Sequence, residues 1–171
     1  IGTAASAQFV LEELGEKFGE EHGVKVEVIT SSSGKLATQI LNSAPFDLFF
    51  AANMRYPNEV HEGGKSESDP QVYGYGLPVF WTLNNDIKLN ADGKFLLSDK
   101  VEKIAIANPK TAPYGEKAVE YLKGAGIYDQ VEPKLVYGES ISQVNEYVQN
   151  RTVEVGISAK SIVLSPEVEE K

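Results

Sequence analysis

The stretch that decides the fold is VKVEVITSSSGKLATQILN, residues 24–42. Its first part, Val24–Thr30, begins with valine at every second position between charged residues, which predicts a strand with one buried face. Its last part, Gly34–Asn42, places Leu36, Ile40 and Leu41 on the inward side of a predicted helix. Serines stand between the strand and the helix. This order of strand, turn and helix is typical of an α/β domain with a parallel sheet.

The rest of the chain continues this alternation. Apolar residues at helical spacing before Gly23 predict a helix that packs one face on the core. That face consists of Ala7, Val10, Leu11, Leu14 and Phe18. The apolar segment Phe46–Ala52 predicts a buried strand. Further strands are expected at Lys103–Ala107, Lys134–Tyr137 and Val153–Ser158, and further helices at Gly115–Lys123 and Ser142–Gln149. We therefore expect mostly parallel sheets flanked by helices.

Two segments of different composition divide the chain. Residues 61–69 are polar and turn-rich, and residues 72–83 form a long β-rich run that glycine and proline interrupt. The two groups of α/β units on either side predict two lobes, with a ligand cleft between them at the carboxyl ends of the strands. We expect residues 1–77 to form the first part of lobe I, 78–158 to form lobe II, and 159–171 to return toward lobe I.

Composition excludes several classes of function. The chain has 171 residues and a formal charge of −9. This charge argues against non-specific binding to nucleic acid or anionic lipid, because both are bound by basic surfaces. It has no cysteine, which excludes disulfides, thiolate metal sites and thiol catalysis. It has two histidines and no G-x-S-x-G motif, so an enzyme is the weakest interpretation. We expect no catalytic residue, no cofactor and no nucleic-acid partner.

Four predicted junctions place small polar residues or glycine where a helix begins: Ala4–Ser6, Ser31–Gly34, Ala112–Gly115 and Glu139–Ser142. The first N–H groups of a helix lack intrahelical partners and carry a partial positive charge, so they can hold an anion without any formal charge. Serine adds a hydroxyl donor. The alternative is that these serines are ordinary helix N-caps, and the spacing leaves both interpretations open.

The chain resembles the molybdate- and tungstate-binding proteins of ABC transporters, which have the two-lobed type II periplasmic-binding-protein fold. The resemblance runs nearly from end to end. It is carried by TAASA (3–7), HGVKV (22–26), SSSGKLATQI (31–40), APFDLFFAA (44–52), AIANPKTAPYG (105–115), YDQVEPKLVYGES (128–140) and VGISAK (155–160). Against the family pattern, we expect most of one strand to be missing before Ile1 and the segment that returns to the first lobe to be missing after Lys171. A processed or trimmed chain would fit this, since neither a signal peptide nor an initiating methionine is present.

The resemblance implies four ligand-binding residues. Ser6 and Ser33 match serines that donate their hydroxyl and backbone N–H to the oxyanion, and Tyr114 and Ile141 match positions that donate a backbone N–H. The resemblance implies no direct metal ligand, because the metal arrives inside the oxyanion.

The family pattern leaves two features of this sequence unassigned, the fifth hydrogen-bond donor and the role of Asp47. Some members supply a tyrosine hydroxyl where this chain has Ala159, so the fifth donor is unassigned; Lys160 or the Tyr114 phenol are weak candidates. Asp47 lies in an otherwise apolar predicted strand, and we expect a buried carboxylate that holds a loop by hydrogen bonds.

The resemblance implies an extracytoplasmic receptor that captures molybdate or tungstate, closes about a hinge, and delivers the anion to a membrane ABC permease. We expect a monomer that is either periplasmic or tethered to the outside of the membrane. Two alternatives remain: a binding protein for another oxyanion or a small carboxylate, and the ligand-sensing domain of a regulator.

Overall fold

A computed structural model describes residues 1–169 and divides the chain into two compact units, Ile1–Gly76 and a second that begins at Leu77. The sheet of the first unit has the strand order β2-β1-β3, where β1 is Gly2–Ala4, β2 is Ile29–Ser31 and β3 is Phe49–Phe50. Both pairings are parallel. The carboxyl ends of all three strands therefore lie at one edge of this sheet.

Each strand of the first unit is followed by a helix. A 3₁₀ turn at Ala5–Ala7 leads into α1 (Gln8–His22), and α2 (Ser33–Leu41) and α3 (Arg55–Glu62) follow β2 and β3. The core between α2, α3 and the sheet consists of Ala37, Ile40, Ala51, Tyr56 and Val60, with Phe46 and Phe49 packed against it. Leu36 is also fully buried, whereas Leu41, which was predicted to face inward, is 38% exposed.

The predicted packing face of α1 is wrong in part. Three of its residues are about half exposed: Val10 (52%), Leu14 (54%) and Phe18 (52%). The helix packs instead through Leu11 and Gly15, which are buried. A Cβ on Gly15 would lie 2.8 Å from Val26 Cγ1. The absence of a side chain at Gly15 therefore lets this face of α1 lie closer to Val26 than the predicted apolar face could.

The strands of the first unit are shorter than predicted, and one helix was missed. The predicted strand over residues 24–30 is a strand only from Ile29, because β2 pairs with β1 alone and β1 has three residues. The predicted strand over residues 46–52 is a strand only at β3, and Asp47 is exposed, so its predicted burial is wrong. Helix α3 was not predicted because only Tyr56 and Val60 of its eight residues are buried.

The second unit contains a mixed sheet with the strand order β4-β7-β5-β6. These strands are Pro78–Trp81 (β4), Ile104–Ala107 (β5), Leu135–Gly138 (β6) and Val155–Ala159 (β7). β4 is antiparallel to β7, whereas β5 is parallel to both β6 and β7. The long run at residues 72–83 is therefore a strand only over β4.

Helices flank this second sheet. They are Pro113–Gly124 (α4), Tyr128–Val131 (α5), Ile141–Gln149 (α6), Lys160–Val163 (α7) and Pro166–Glu169 (α8), and short 3₁₀ turns lie at Lys94–Leu97 and Glu132–Lys134. The main core consists of Ile87, Leu96, Val101, Ile104, Ile106, Ala118, Leu122, Ile127, Val131, Val155 and Ile157. The predicted α/β architecture is confirmed. Within residues 1–169, no helix combines the length and apolar character needed to cross a membrane.

The segment after β7 packs within the second unit as far as it is described. Helix α7 contacts β4 and β7 of that unit, and α8 contacts α7. The return of residues 159–171 toward lobe I remains a prediction, and its last two residues lie outside the described part of the chain.

Candidate functional site

In the first unit, the candidate residues lie where the chain leaves the carboxyl edge of the sheet. Ser6 follows β1 in the 3₁₀ turn, Ser33 follows β2, and the segment Ala51–Asn53 follows β3. The parallel pairing of the three strands brings these exits to the same edge. In open α/β sheets this edge is where ligands bind.

Ser33 is the first residue of α2, and its side chain is fully buried. Its Oγ accepts a hydrogen bond from the backbone N–H of Ala52 at 3.0 Å, which ties the start of α2 to the exit of β3. A hydroxyl accepts and donates at once, so this bond leaves the Ser33 O–H able to donate to a ligand. The N-cap interpretation is wrong for Ser33, since the N-cap of α2 is Ser32.

Ser6 is also not a helix N-cap. It is the central residue of its 3₁₀ turn, whose N-cap is Ala4, and the N-cap of α1 is Ala7. Its side chain is partly buried. A position in a tight turn at the end of β1 places its backbone at the same sheet edge as the start of α2.

Sequence reasoning missed one residue at this edge, Ser32. It is 4% exposed, and its Oγ has no hydrogen-bond partner in the described structure. The signal was present as three consecutive serines, but a run of serines does not tell which hydroxyl the fold leaves unpaired.

In the second unit, Tyr114 lies in the first turn of α4, directly after the loop that follows β5. Pro113 is the first residue of this helix and has no N–H, so the first N–H of α4 belongs to Tyr114. A Cβ on Gly115 would lie 2.0 Å from the carbonyl oxygen of Ala107, the last residue of β5. Only glycine therefore allows the first turn of α4 to rest on the end of that strand.

Ile141 is the first residue of α6 and is buried. The cap before it is complete: Ser140 Oγ accepts from the Gln143 N–H, and Gln143 Oε1 accepts from the Glu139 N–H at 2.8 Å. This cap uses the N–H of the third helical residue, so it does not occupy the N–H of Ile141. That N–H has no intrahelical acceptor at the first position of a helix.

The starts of α4 and α6 lie at one edge of the second sheet. β5 and β6 are parallel, and the Asn108 N–H beyond β5 donates to the Gly138 carbonyl at the end of β6 at 2.7 Å. The two predicted N–H donors of this unit therefore belong to helices that begin at neighbouring strand ends.

Residues 159 and 160 add no hydroxyl at the end of β7. Ala159 is fully buried, and its methyl group cannot donate a hydrogen bond. Lys160 begins the four-residue helix α7, with an exposed side chain and a backbone N–H that donates to the Leu77 carbonyl at 2.9 Å. The fifth donor remains unassigned.

The candidate residues of each unit are neutral hydrogen-bond donors. Among residues 1–169, no cluster of histidine, aspartate and glutamate is arranged to hold a metal ion. Beside the first-unit edge, the Tyr73 hydroxyl donates to the Ala51 carbonyl at 3.2 Å, and burial raises the pKa of this phenol. An arrangement of hydroxyls and helix N–H groups can bind an anion through directional hydrogen bonds.

Comparisons with known proteins identify the family. The family described as bacterial extracellular solute-binding protein matches residues 1–171. The chain is 36% identical over 167 residues to the molybdate-binding protein ModA of Rhodobacter capsulatus, covering 96% of this chain and 66% of that protein. It is 32% identical over 167 residues to YvgL of Bacillus subtilis (strain 168), named for substrate binding in an ABC transporter and as a lipoprotein, covering 96% and 63%.

A solved structure supports the same relationship. The periplasmic molybdate-binding protein of Azotobacter vinelandii superimposes with a TM-score of 0.86 at 28% identity, covering 92% of this chain and 69% of that one. The chain spans 66% and 63% of the length of the two curated relatives above. Solute binding rather than catalysis is what these relatives share, in agreement with the prediction of a non-enzymatic protein. The chain belongs to the family of bacterial extracellular solute-binding proteins.

Proposed function

We propose that this protein captures molybdate or tungstate outside the cytoplasm and delivers it to a membrane ABC permease. The observation that carries the proposal is the start of α2, where Ser33 is fully buried with its O–H not used in the described structure. We infer the anion from the names of the relatives in Rhodobacter and Azotobacter, and the transporter and the lipoprotein anchor from the name of YvgL.

The anion is held by four residues without any formal positive charge. Ser6 and Ser33 donate their hydroxyls and backbone N–H groups, and Tyr114 and Ile141 donate backbone N–H groups. Hydrogen bonds to an ionised acceptor are about twice as strong as neutral ones, so a few such donors replace part of the anion's hydration. The ligand is molybdate or tungstate, and no cofactor takes part.

A site of this kind selects by size and protonation. The donor positions are fixed by helix starts, and a hydrogen bond weakens once donor and acceptor separate beyond the usual range, so a smaller sulfate makes poorer contacts. Phosphate carries a proton near neutral pH and needs an acceptor for it. Among the four proposed residues only the serine hydroxyls could accept, and a hydroxyl turned to accept this proton no longer donates its own to the anion.

A second candidate function is the binding of another oxyanion or a small carboxylate. The observation that favours it is Ala159, which is fully buried and provides only a methyl group. The family resemblance implies a tyrosine hydroxyl at this position in some members. One donor fewer would change the ligand that fits best, while leaving the family and the neutral mode of binding unchanged.

Calorimetric titration of the full chain with sodium molybdate, tungstate, sulfate, phosphate and citrate tests the proposal. We expect molybdate and tungstate to bind at least about tenfold more tightly than sulfate, a difference of about 1.4 kcal/mol, and phosphate to give no measurable heat. Sulfate binding as tightly as molybdate would contradict the size argument. Tighter binding of a small carboxylate such as citrate than of molybdate would favour the second candidate.

A further inference from the structure

The hydroxyl of Ser32 is buried without a partner at the start of α2. Ser32 is 4% exposed, and its Oγ makes no hydrogen bond to any described residue. A buried polar group without a partner is rare in folded proteins, because its lost hydration is not compensated. Such a group therefore needs an explanation in terms of a partner that the protein chain does not supply.

Helix capping does not supply this partner, although Ser32 occupies the capping position. Its backbone is extended, with φ −76° and ψ 149°, and its carbonyl accepts the first helical bond, from the Leu36 N–H at 3.1 Å. A serine in this position ordinarily accepts from an N–H of the first turn through its side chain. Here the side chain makes no such bond. The first turn of α2 is thus left with its N–H groups uncapped by Ser32.

The neighbouring serine behaves differently. Ser33 Oγ is held by the Ala52 N–H at 3.0 Å, so its hydroxyl has a role in the fold itself. The cap of α6 is also different, since Ser140 Oγ accepts from the Gln143 N–H. Ser32 is therefore a serine at a helix start whose hydroxyl serves neither the helix nor a neighbouring segment.

We propose that the Ser32 hydroxyl is a further donor to the bound oxyanion, beside Ser33 at the start of α2. This inference rests on the proposed function. The side chain of an N-cap residue lies next to the first-turn N–H groups, which is where an anion binds at a helix start. The anion then satisfies a hydroxyl that is otherwise buried at a cost, and Ser32 provides a hydroxyl donor in a chain where Ala159 provides none.

The alternative is a structural role, in which the Ser32 hydroxyl binds an internal water or turns to another buried group. One such group is Asn53 Oδ1, a buried acceptor that also lacks a partner among the described residues. A structural hydroxyl and a ligand donor differ in what their removal does to the ligand-free protein. Removing a structural hydroxyl lowers the stability of that form, whereas removing an unpaired one does not.

The experiment compares the Ser32→Ala and Ser33→Ala variants of the full chain with wild type. Ser68→Ala is the matched control, because Ser68 is an exposed serine of the same unit. Sodium molybdate is titrated into each protein by calorimetry, and the melting temperature of each is measured without ligand. We expect Ser32→Ala to weaken molybdate binding by about 10- to 100-fold. We expect its melting temperature without ligand to equal or exceed that of wild type.

The outcomes separate this inference from the proposed function. Wild-type protein that binds molybdate, with Ser32→Ala binding within about twofold of it, overturns the role of Ser32 and leaves the proposed function intact. A lower melting temperature for Ser32→Ala with unchanged affinity assigns the hydroxyl a structural role and also overturns the inference. Wild-type protein that does not bind molybdate overturns both.

Discussion

Replacing Ser33 by alanine should remove two interactions at once, one that the structure shows and one that we propose. The first is the hydrogen bond from the Ala52 N–H, 3.0 Å long and partly buried, which joins the start of α2 to the exit of β3. Leaving that N–H without a partner costs about 1 kcal/mol, the lower end of the range for buried groups. For a unit of 60–100 residues, about 1 kcal/mol lowers the melting temperature by about 4–8 °C.

The second interaction is the one that we propose, the hydrogen bond from the Ser33 hydroxyl to the bound anion. A hydrogen bond to a charged partner contributes about 1.5–3 kcal/mol, so molybdate should bind about 10- to 150-fold more weakly to Ser33→Ala. Differential scanning calorimetry without ligand measures the first effect, and calorimetric titration with molybdate measures the second. Melting and affinity that both equal those of wild type would refute the assignment of Ser33. A lower melting temperature with unchanged affinity would leave it a structural role only.

Three further predictions test other parts of the account. Gly115→Ala should destabilise the protein by about 1–3 kcal/mol and weaken molybdate binding, because its Cβ would lie 2.0 Å from the Ala107 carbonyl oxygen. Thermal melts and titrations measure both effects, and the control is Gly124→Ala, whose Cβ meets nothing within 4 Å. Raising the NaCl concentration should leave molybdate affinity unchanged or increase it, because salt screens the repulsion from a chain of charge −9; a steep loss of affinity in titrations would indicate cationic ligands instead. Partial burial raises the pKa of the Tyr73 phenol, so the unfolded chain ionises first above pH about 10 and the free energy of unfolding should fall slightly there. Denaturant unfolding should show a smaller fall for Tyr73→Phe, and an equal fall would assign the effect to other groups.

Much of the fold could be predicted from the sequence because segments with a strand pattern and segments with a helix pattern alternate along the chain. The predictions for Gly115–Lys123 and Ser142–Gln149 fall within α4 and α6, which differ from them by two residues or fewer at each end. What could not be predicted depends on tertiary partners. Strand β2 is short because β1 offers only three residues to pair with, and α1 packs through Gly15 because a missing side chain allows a close approach.

The candidate site shows the same division. Small polar residues at strand–helix junctions pointed to Ser33, and the family resemblance pointed to Ile141; the structure places each of them as the first residue of a helix. The pattern could not distinguish Ser32 from Ser33, because the difference lies in one hydrogen bond from Ala52. It also misassigned Asp47, since apolar neighbours in sequence predicted a burial that a two-residue strand does not provide.

The anomalous scattering of molybdenum in crystals of the molybdate complex would locate the bound anion directly. We expect one molybdenum peak, with the anion's oxygen atoms within about 2.7–3.2 Å of the hydroxyls of Ser6 and Ser33 and of the N–H groups of Tyr114 and Ile141. We also expect that no lysine or arginine side chain contacts the anion. A peak coordinated by basic side chains, or a peak away from the starts of α2, α4 and α6, would contradict binding by neutral donors.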